Sequence, residues 1–294
     1  MSTATADYSI WVLEYGQTVN QPVSVALYGQ HNAGVKAMPY GFVVAESRDR
    51  VVLVDTGFAA VGSGEVYRRK FEVEPYISPA DALHEIGRTA EEVTDVIVTH
   101  AHYDHMGGLD LFPNAHFYLQ HEELEKWRWA LGLGPRYANI TAACNPDDVA
   151  RAERLVAEKR MTLLDGRVDN LLPGISVELS PNGHSYMLQY AVIDTASSGR
   201  YIAAGDVAFS RLNLTGLNND GVLVPLGFGV GSQTQMVLAM DEALRAVEGE
   251  VERVLIVHEP LTYLGPSAWT GQRGLRVAEV AVARGTTSKC SQKV

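Results

Sequence analysis

The stretch VIVTHAHYDHMGG, Val96–Gly108, sets His100, His102, Asp104 and His105 directly behind the apolar run Val96-Ile97-Val98. Gly107-Gly108 leads out of it. Side chains alternate faces along an extended segment, so His100 and His102 point the same way. The two glycines allow a sharp turn into a helix, which brings Asp104 and His105 round. The segment can therefore offer two imidazoles to one metal ion, and a carboxylate and a third imidazole to another. Imidazole and carboxylate together suit zinc, and equally iron, manganese or cobalt.

Outward from this stretch the chain alternates between strand-like and helix-like segments. YSIWVLEY (8–15), VSVALYG (23–29), YGFVVAE (40–46) and RVVLVDTGF (50–58) are short and rich in β-branched and aromatic residues, which predicts strands. In ISPADALHEIG (77–87), Ser78 is placed to cap a helix, Pro79 suits its first position and Gly87 its end. HEELEKWRWALGL (121–133) and NPDDVARAERLVAEK (145–159) predict helices, the second capped by Asn145. SVELS (176–180), LQYAVIDT (188–195), RYIAAGD (200–206) and RVLIVHE (253–259) predict strands. SQTQMVLAMDEALRAVEG (232–249) predicts a helix, and TGQRGLRVAEVAVARG (270–285) is expected to hold a last one. Strands flanked by helices in both halves predict an α/β chain with two sheets packed together and helices outside.

With 294 residues, 46% of them hydrophobic, and no repeats or long linker, residues 1–294 are expected to form one domain. Its core should run over about residues 9–286, and the polar tail RGTTSKCSQKV is expected to fray. The net charge of -11 argues against nucleic acid or an anionic membrane as partner, since both call for a basic patch. No apolar run is long enough for a transmembrane helix, and MSTATADYSIW has no secretory pattern. Cys144 and Cys290 lie far apart, which predicts no disulfide framework and fits a reducing cytoplasm. A small-molecule substrate is the expected partner, and a homo-oligomer stays open.

The run HAHYDH (100–105) matches in full the His-x-His-x-Asp-His signature of the metallo-β-lactamase superfamily, which the chain resembles. The resemblance extends to VVLVDTGF, similar to the Asp-Thr-Gly turn of that superfamily at Asp55, and to SPNGHS with His184. It continues through AAGDVAF with Asp206 and LIVHEP with His258. It implies an αββα sandwich, two mixed β-sheets flanked by helices, with a dinuclear site at one edge. Carried over, the first metal takes His100, His102 and His184, and the second takes Asp104, His105 and His258. Asp206 bridges them. The implied cofactor is two zinc ions. His31, His84, His116 and His121 have no such partners and are expected to be structural or surface residues.

A dinuclear site lowers the pKa of a water and polarises a carbonyl, which implies hydrolysis with Asp104 and Asp206 as the catalytic carboxylates. Within the superfamily the chain most resembles the N-acyl homoserine lactonase-like hydrolases, which implies opening of a small lactone or cleavage of an ester. Those lactonases often carry a tyrosine three residues after the bridging aspartate. Phe209 stands there in this chain, so acyl homoserine lactones are expected to be poor substrates. Tyr103 and Tyr186 are the candidates to supply the hydroxyl. Alternatives are a thioesterase of the glyoxalase II kind and hydrolytic displacement on an activated aryl ether or halide. Trp127, Trp129, Tyr137 and Trp269 suit either a substrate cleft or the core. GFGVG (227–231) lacks the Lys-Ser/Thr of a phosphate loop and predicts a turn or active-site loop.

Overall fold

Alternation along the first strand sets the layering. In the computed structural model, which describes residues 6–293, Ile10 and Val12 face one way and Trp11, Leu13 and Tyr15 the other. Strands β1 (Ser9–Pro22), β2 (Val35–Glu46), β3 (Val51–Val54), β4 (Asp95–Ile97), β5 (His116–Gln120) and β6 (Met161–Leu164) lie side by side in that order. The second sheet holds β7 (Val168–Leu172), β8 (Ile175–Pro181), β9 (Met187–Thr195), β10 (Gly199–Ala203) and β11 (Val254–Leu255). The chain then returns through β12 (Ala268–Thr270) and β13 (Arg276–Ala281), which extend the first sheet beyond β1. Both sheets are mixed: β3 to β6 run parallel and β1 antiparallel to its neighbours, while β10 is parallel to β11 and antiparallel to β9.

Helices are α1 (Val23–Ala26), α2 (Ser63–Lys70), α3 (Pro79–Ala82), α4 (Tyr103–Met106), α5 (His121–Leu131), α6 (Pro146–Ala157), α7 (Arg211–Thr215) and α8 (Gln233–Ala246). Val43, Val52 and Ile97 of the first sheet meet Ile175, Ile193 and Ala203 of the second in an inner core. Leu124 and Trp127 of α5 and Val149 and Leu155 of α6 cover the outer face of the first sheet. Met236, Met240 and Ala243 of α8 cover the outer face of the second, over Tyr190 and Ile202. Each such large apolar side chain contributes about 1.5–3 kcal/mol on full burial, so the four layers cohere mainly through these three interfaces. The expected αββα sandwich is the observed fold. Among the described residues, no helix is long and apolar enough to cross a membrane. The reading of a leader-free N-terminus rests in part on residues 1–5, outside the described residues.

Several local expectations are corrected. VSVALYG is no strand: its first residues form α1, within the connection between the antiparallel β1 and β2. There the Ala26 carbonyl accepts from Asn213 Nδ2, and the Tyr28 N–H donates to Pro225 O, so tertiary bonds replace a ladder. The last expected helix is the strand β13, paired with β1 and β12. Val277 joins the outer core and Ala278 the inner one, a period of two that a helix could not serve. The polar tail is docked: the Ser288 hydroxyl and Lys289 N–H donate to Glu279, which also accepts from Trp11 Nε1. Strands β5, β6 and β7 were not legible, being short and bounded by weak turn signals. Asn145 caps α6 by accepting from the Asp147 N–H at 3.2 Å. Pro79 opens α3 as expected, but the Ser78 side chain makes no capping bond.

On α6, Asp148 is buried beside Arg151, with Oδ2 lacking a hydrogen-bond partner. Burial pushes its carboxyl from 3.8 up to about 7, against the pull of the Arg151 guanidinium. The folded protein thus keeps a proton that the unfolded chain releases. The stability this supplies is complete below 3.8 and is lost as pH rises through about 7. Asp148→Asn removes that loss. The variant should gain on the parent by about 1–3 kcal/mol between roughly pH 5 and pH 8, read by denaturant unfolding. A pH-independent difference between the two would contradict a protonated Asp148.

Candidate metal centre

The site sits where the ends of β4, β10 and β11 meet the turn between β8 and β9. Past β4 the chain stays extended through His102, then α4 makes one turn and presents Asp104 and His105. Asp55, just past β3 at φ +71°, locks this segment. Its Oδ1 accepts the Thr99 N–H at 2.7 Å, and its Oδ2 accepts the Thr99 hydroxyl at 3.0 Å and His105 Nδ1 at 2.8 Å. Asp206 follows Gly205, whose φ is +51° and where an added Cβ would lie 2.7 Å from Thr99 Oγ1. Only glycine lets the two segments approach so closely.

All seven residues named from the signature and its companion segments converge. His100, His102, His184 and Asp206 form one buried group and Asp104, His105 and His258 another, with the ligand atoms of each group within 4.8 Å of one another. His102 Nδ1 lies 2.9 Å from both His100 Nε2 and His184 Nε2. Asp206 faces both groups. Its Oδ2 is 3.0 Å from His184 Nε2 and 3.5 Å from His100 Nε2, while its Oδ1 is 3.2 Å from His258 Nε2 and 3.3 Å from His105 Nε2. Asp104 Oδ2 is 3.5 Å from His258 Nε2 and 3.6 Å from His105 Nε2.

Hydrogen bonds at the far side of four of the five rings set their tautomers; His102 instead turns Nδ1 inward, and its Nε2 has no partner. His258 Nδ1 donates to Pro39 O at 2.8 Å and His184 Nδ1 to Phe228 O at 3.1 Å. The Thr99 hydroxyl gives its proton to Asp55, so His100 Nδ1 must donate to Thr99 Oγ1, 2.9 Å away. His105 Nδ1 donates to Asp55. Nε2 of these four rings is therefore the atom turned inward, its lone pair available to a metal ion in the neutral form. Fixing of this kind orients imidazoles for metal ions and raises their basicity. Burial, with His105 and His184 nearby, holds His100 well below the ordinary histidine range, the neutral form a ligand needs. Burial, with His100 and His184 nearby, does the same to His102. Burial alone would raise the Asp206 carboxyl, but His105, His258 and His184 hold it well below the usual carboxylate range. Against their own burial, Asp206 in turn draws His105 and His258 above the ordinary histidine range, a role that metal ions would take over on binding. Its Oδ1 is buried without a hydrogen-bond partner. Converging lone pairs and an unpartnered buried carboxylate oxygen are costly unless cations lie between them, so the donor set fits two divalent ions.

Above this cluster opens a largely apolar cavity of about 170 Å³, walled by Val25, Met38, Tyr40, Phe71, Tyr103, Phe209 and Phe228. Lys70 lines it too, its ammonium 3.0 Å from Ala142 O and 4.9 Å from the Phe71 ring centre.

The family model of the metallo-beta-lactamase superfamily matches residues 39–258. The chain belongs to that superfamily. An N-acyl homoserine lactonase of Bacillus thuringiensis is 24% identical over 186 residues, 60% of this chain and 66% of the lactonase. The match thus spans slightly less than two thirds of the relative. An N-acyl homoserine lactone hydrolase with N-hexanoyl-L-homoserine at its catalytic metal centre superposes with a TM-score of 0.65 at 18% identity, over 88% of this chain and 95% of that one. AidC, a dizinc quorum-quenching lactonase, superposes with a TM-score of 0.61 at 16% identity, over 92% and 90% of the two chains. At these identities the superpositions establish a shared fold.

Against this superfamily frame, the residues expected to meet substrate divide. Phe209 lines the cavity, its ring centre 5.3 Å from that of His184 and 5.0 Å from that of His258. Tyr103 lines it as well. Tyr186 does not: it packs on Trp127 and Trp129, behind His184. Trp127 is core, backing the His102 ring at 5.3 Å, and neither Trp129, Tyr137 nor Trp269 reaches the cavity wall. The GFGVG loop does reach it through Phe228, whose carbonyl orients His184. His31, His84 and His121 are exposed, and His116 bonds Thr162 at 2.7 Å, all away from the cluster. Sequence reading passed over Tyr40 and Glu123. Tyr40 looked like one more strand aromatic, and Glu123 like one more acidic residue in the first turn of a helix.

Proposed function

We propose that the chain is a single-domain metal-dependent hydrolase of a reducing cytoplasm that opens a small lactone or cleaves an ester of apolar, aromatic character. His100, His102 and His184 would hold one zinc ion and Asp104, His105 and His258 a second, with Asp206 shared. The observation that carries this is Asp206, each of whose oxygens faces one of the two groups. The lactonase relatives and the dizinc neighbour support the same reading. Bound there, the two ions would supply a water of lowered pKa and polarise a carbonyl. The chain's own residues do the rest. Asp104, at the cavity wall, is placed to orient the attacking water and take its proton on the carboxylate oxygen other than the one facing His105 and His258. The aromatic wall excludes bulk water, and Phe209 offers no hydroxyl, so a polar group buried against it would lose about 1–3 kcal/mol.

The aromatic wall also favours a second reading, displacement on an activated aryl ether or halide. A thioesterase acting on a glutathione conjugate is less well served, because Lys70 is the one cation on the described lining. The test is a hydrolysis screen of zinc-loaded protein over lactones, aryl esters, thioesters and aryl ethers, with metal equivalents measured in parallel. Aromatic lactones or esters should be turned over about 10-fold or more faster than acyl homoserine lactones, and strong chelators should abolish the activity. Activity untouched by chelators, or an acyl homoserine lactone as the best substrate, would overturn this reading.

A further inference from the structure

The wall of the cavity carries few polar groups beyond the proposed ligands. Gln21 and Lys70 stand at its solvent side, and Tyr40 and Tyr103 are buried, at 1% and 3% exposure. The Tyr103 hydroxyl donates to the Tyr40 hydroxyl at 3.1 Å. That bond uses the Tyr103 proton and leaves the Tyr40 proton without an acceptor among the described residues. A buried donor with no acceptor is costly unless a ligand takes it.

Both rings are held firmly. Tyr103 stacks on Phe71, with ring centres 5.0 Å apart and planes 6° apart, and on Tyr67 at 4.8 Å. Tyr40 stands edge-on to His258 at 5.4 Å, and the preceding residue, Pro39, supplies the carbonyl that orients His258. One strand, β2, therefore sets the Tyr40 hydroxyl and the inward nitrogen of His258 in a fixed relation. Phe209, also packed on His258, offers no donor. The deep wall thus has one free O–H, with a second hydroxyl behind it to strengthen it.

We propose that Tyr40 is a catalytic residue whose hydroxyl, backed by Tyr103, hydrogen-bonds the departing oxygen of the substrate. This rests on the hydrolase reading above. As the acyl carbon–oxygen bond breaks, its electron pair moves onto the departing oxygen, and the Tyr40 O–H stabilises the growing charge. The proton that this oxygen finally keeps comes from the attacking water, so Tyr40 ends the reaction unchanged.

The test uses the full, zinc-loaded chain and two esters of one aromatic acid, one leaving as para-nitrophenolate and one as an alkoxide. Tyr40→Phe should keep its metal and its KM. Its kcat should fall about 10–100-fold with the alkoxide and only about 2–3-fold with the nitrophenolate, because the poorer leaving group carries more charge. Tyr103→Phe should show the same pattern at smaller size. A second measurement is independent of turnover. Calorimetric titration with ortho-hydroxymethylbenzoate, an opened aromatic lactone, should bind Tyr40→Phe about 5–10-fold more weakly than the parent. Equal losses for both esters, unchanged kcat, or equal affinity for the hydroxy acid would overturn the assignment of Tyr40. A parent chain that hydrolyses neither ester would instead sink the hydrolase reading, and the titration would still decide whether Tyr40 meets the oxygen.

Discussion

Asp206→Asn is expected to lower turnover by about 100-fold or more, at the upper end of what even partners of metal ligands cost. The carboxylate has four inward imidazole nitrogens within 3.5 Å, two on each oxygen. An asparagine keeps one acceptor oxygen and turns an NH₂ toward the other pair. It also removes the negative charge that would offset two cations in a buried site. Burial alone would favour the amide, so the fold should persist. Elemental analysis should find fewer than two zinc equivalents in a variant whose circular dichroism matches the parent. A variant that retained both metals and full turnover would show that Asp206 is not shared.

The second large effect is expected at Glu123, in the first turn of α5. Its Oε1 accepts the Ala101 N–H at 2.9 Å, the Trp127 indole N–H at 2.7 Å and the Ser185 hydroxyl, and its Oε2 accepts the Met187 N–H at 2.6 Å. Ala101 lies between two proposed ligands and Ser185 follows a third, so one carboxylate ties the His100–His102 segment to the His184 turn. Burial pushes the Glu123 carboxyl up, and the four donors pull it back. Three of those donors are N–H groups that cannot accept, so an ionised carboxylate is the form that satisfies them. Glu123→Gln sets an NH₂ against at least one of them. It should cost about 2–4 kcal/mol of stability and about 10–100-fold in zinc affinity. Chemical denaturation and competitive zinc titration would read the two effects. An unchanged unfolding midpoint together with unchanged zinc affinity would remove Glu123 from the support of the site.

The seven residues of the proposed centre could be named before any fold was known. Four occupy one six-residue run behind a strand, and the others stand in short segments with their own turn residues. A metal centre demands particular donors at particular spacings, so its imprint on the chain is local. The layering was legible for a similar reason: strands such as β1 and β2 alternate between two apolar faces, and helices such as α6 carry a cap and a single apolar stripe. Segments without such a signal went astray. VSVALYG has the composition of a strand but no neighbour to pair with, whereas LRVAEVAVA has the composition of a helix but lies against the open edge of β1.

Only the tertiary structure decided what surrounds the centre. Asp55, 45 residues before His100, fixes two of the imidazoles, directly or through Thr99. Glu123 reaches back to Ala101 and forward to Ser185, and Tyr40 on β2 meets Tyr103 on α4, 63 positions further along the chain. Such groups act through distance and direction rather than spacing along the chain. A hydrogen bond needs its atoms within about 3 Å and aligned, a condition that residues far apart in sequence meet only once the strands carrying them have paired.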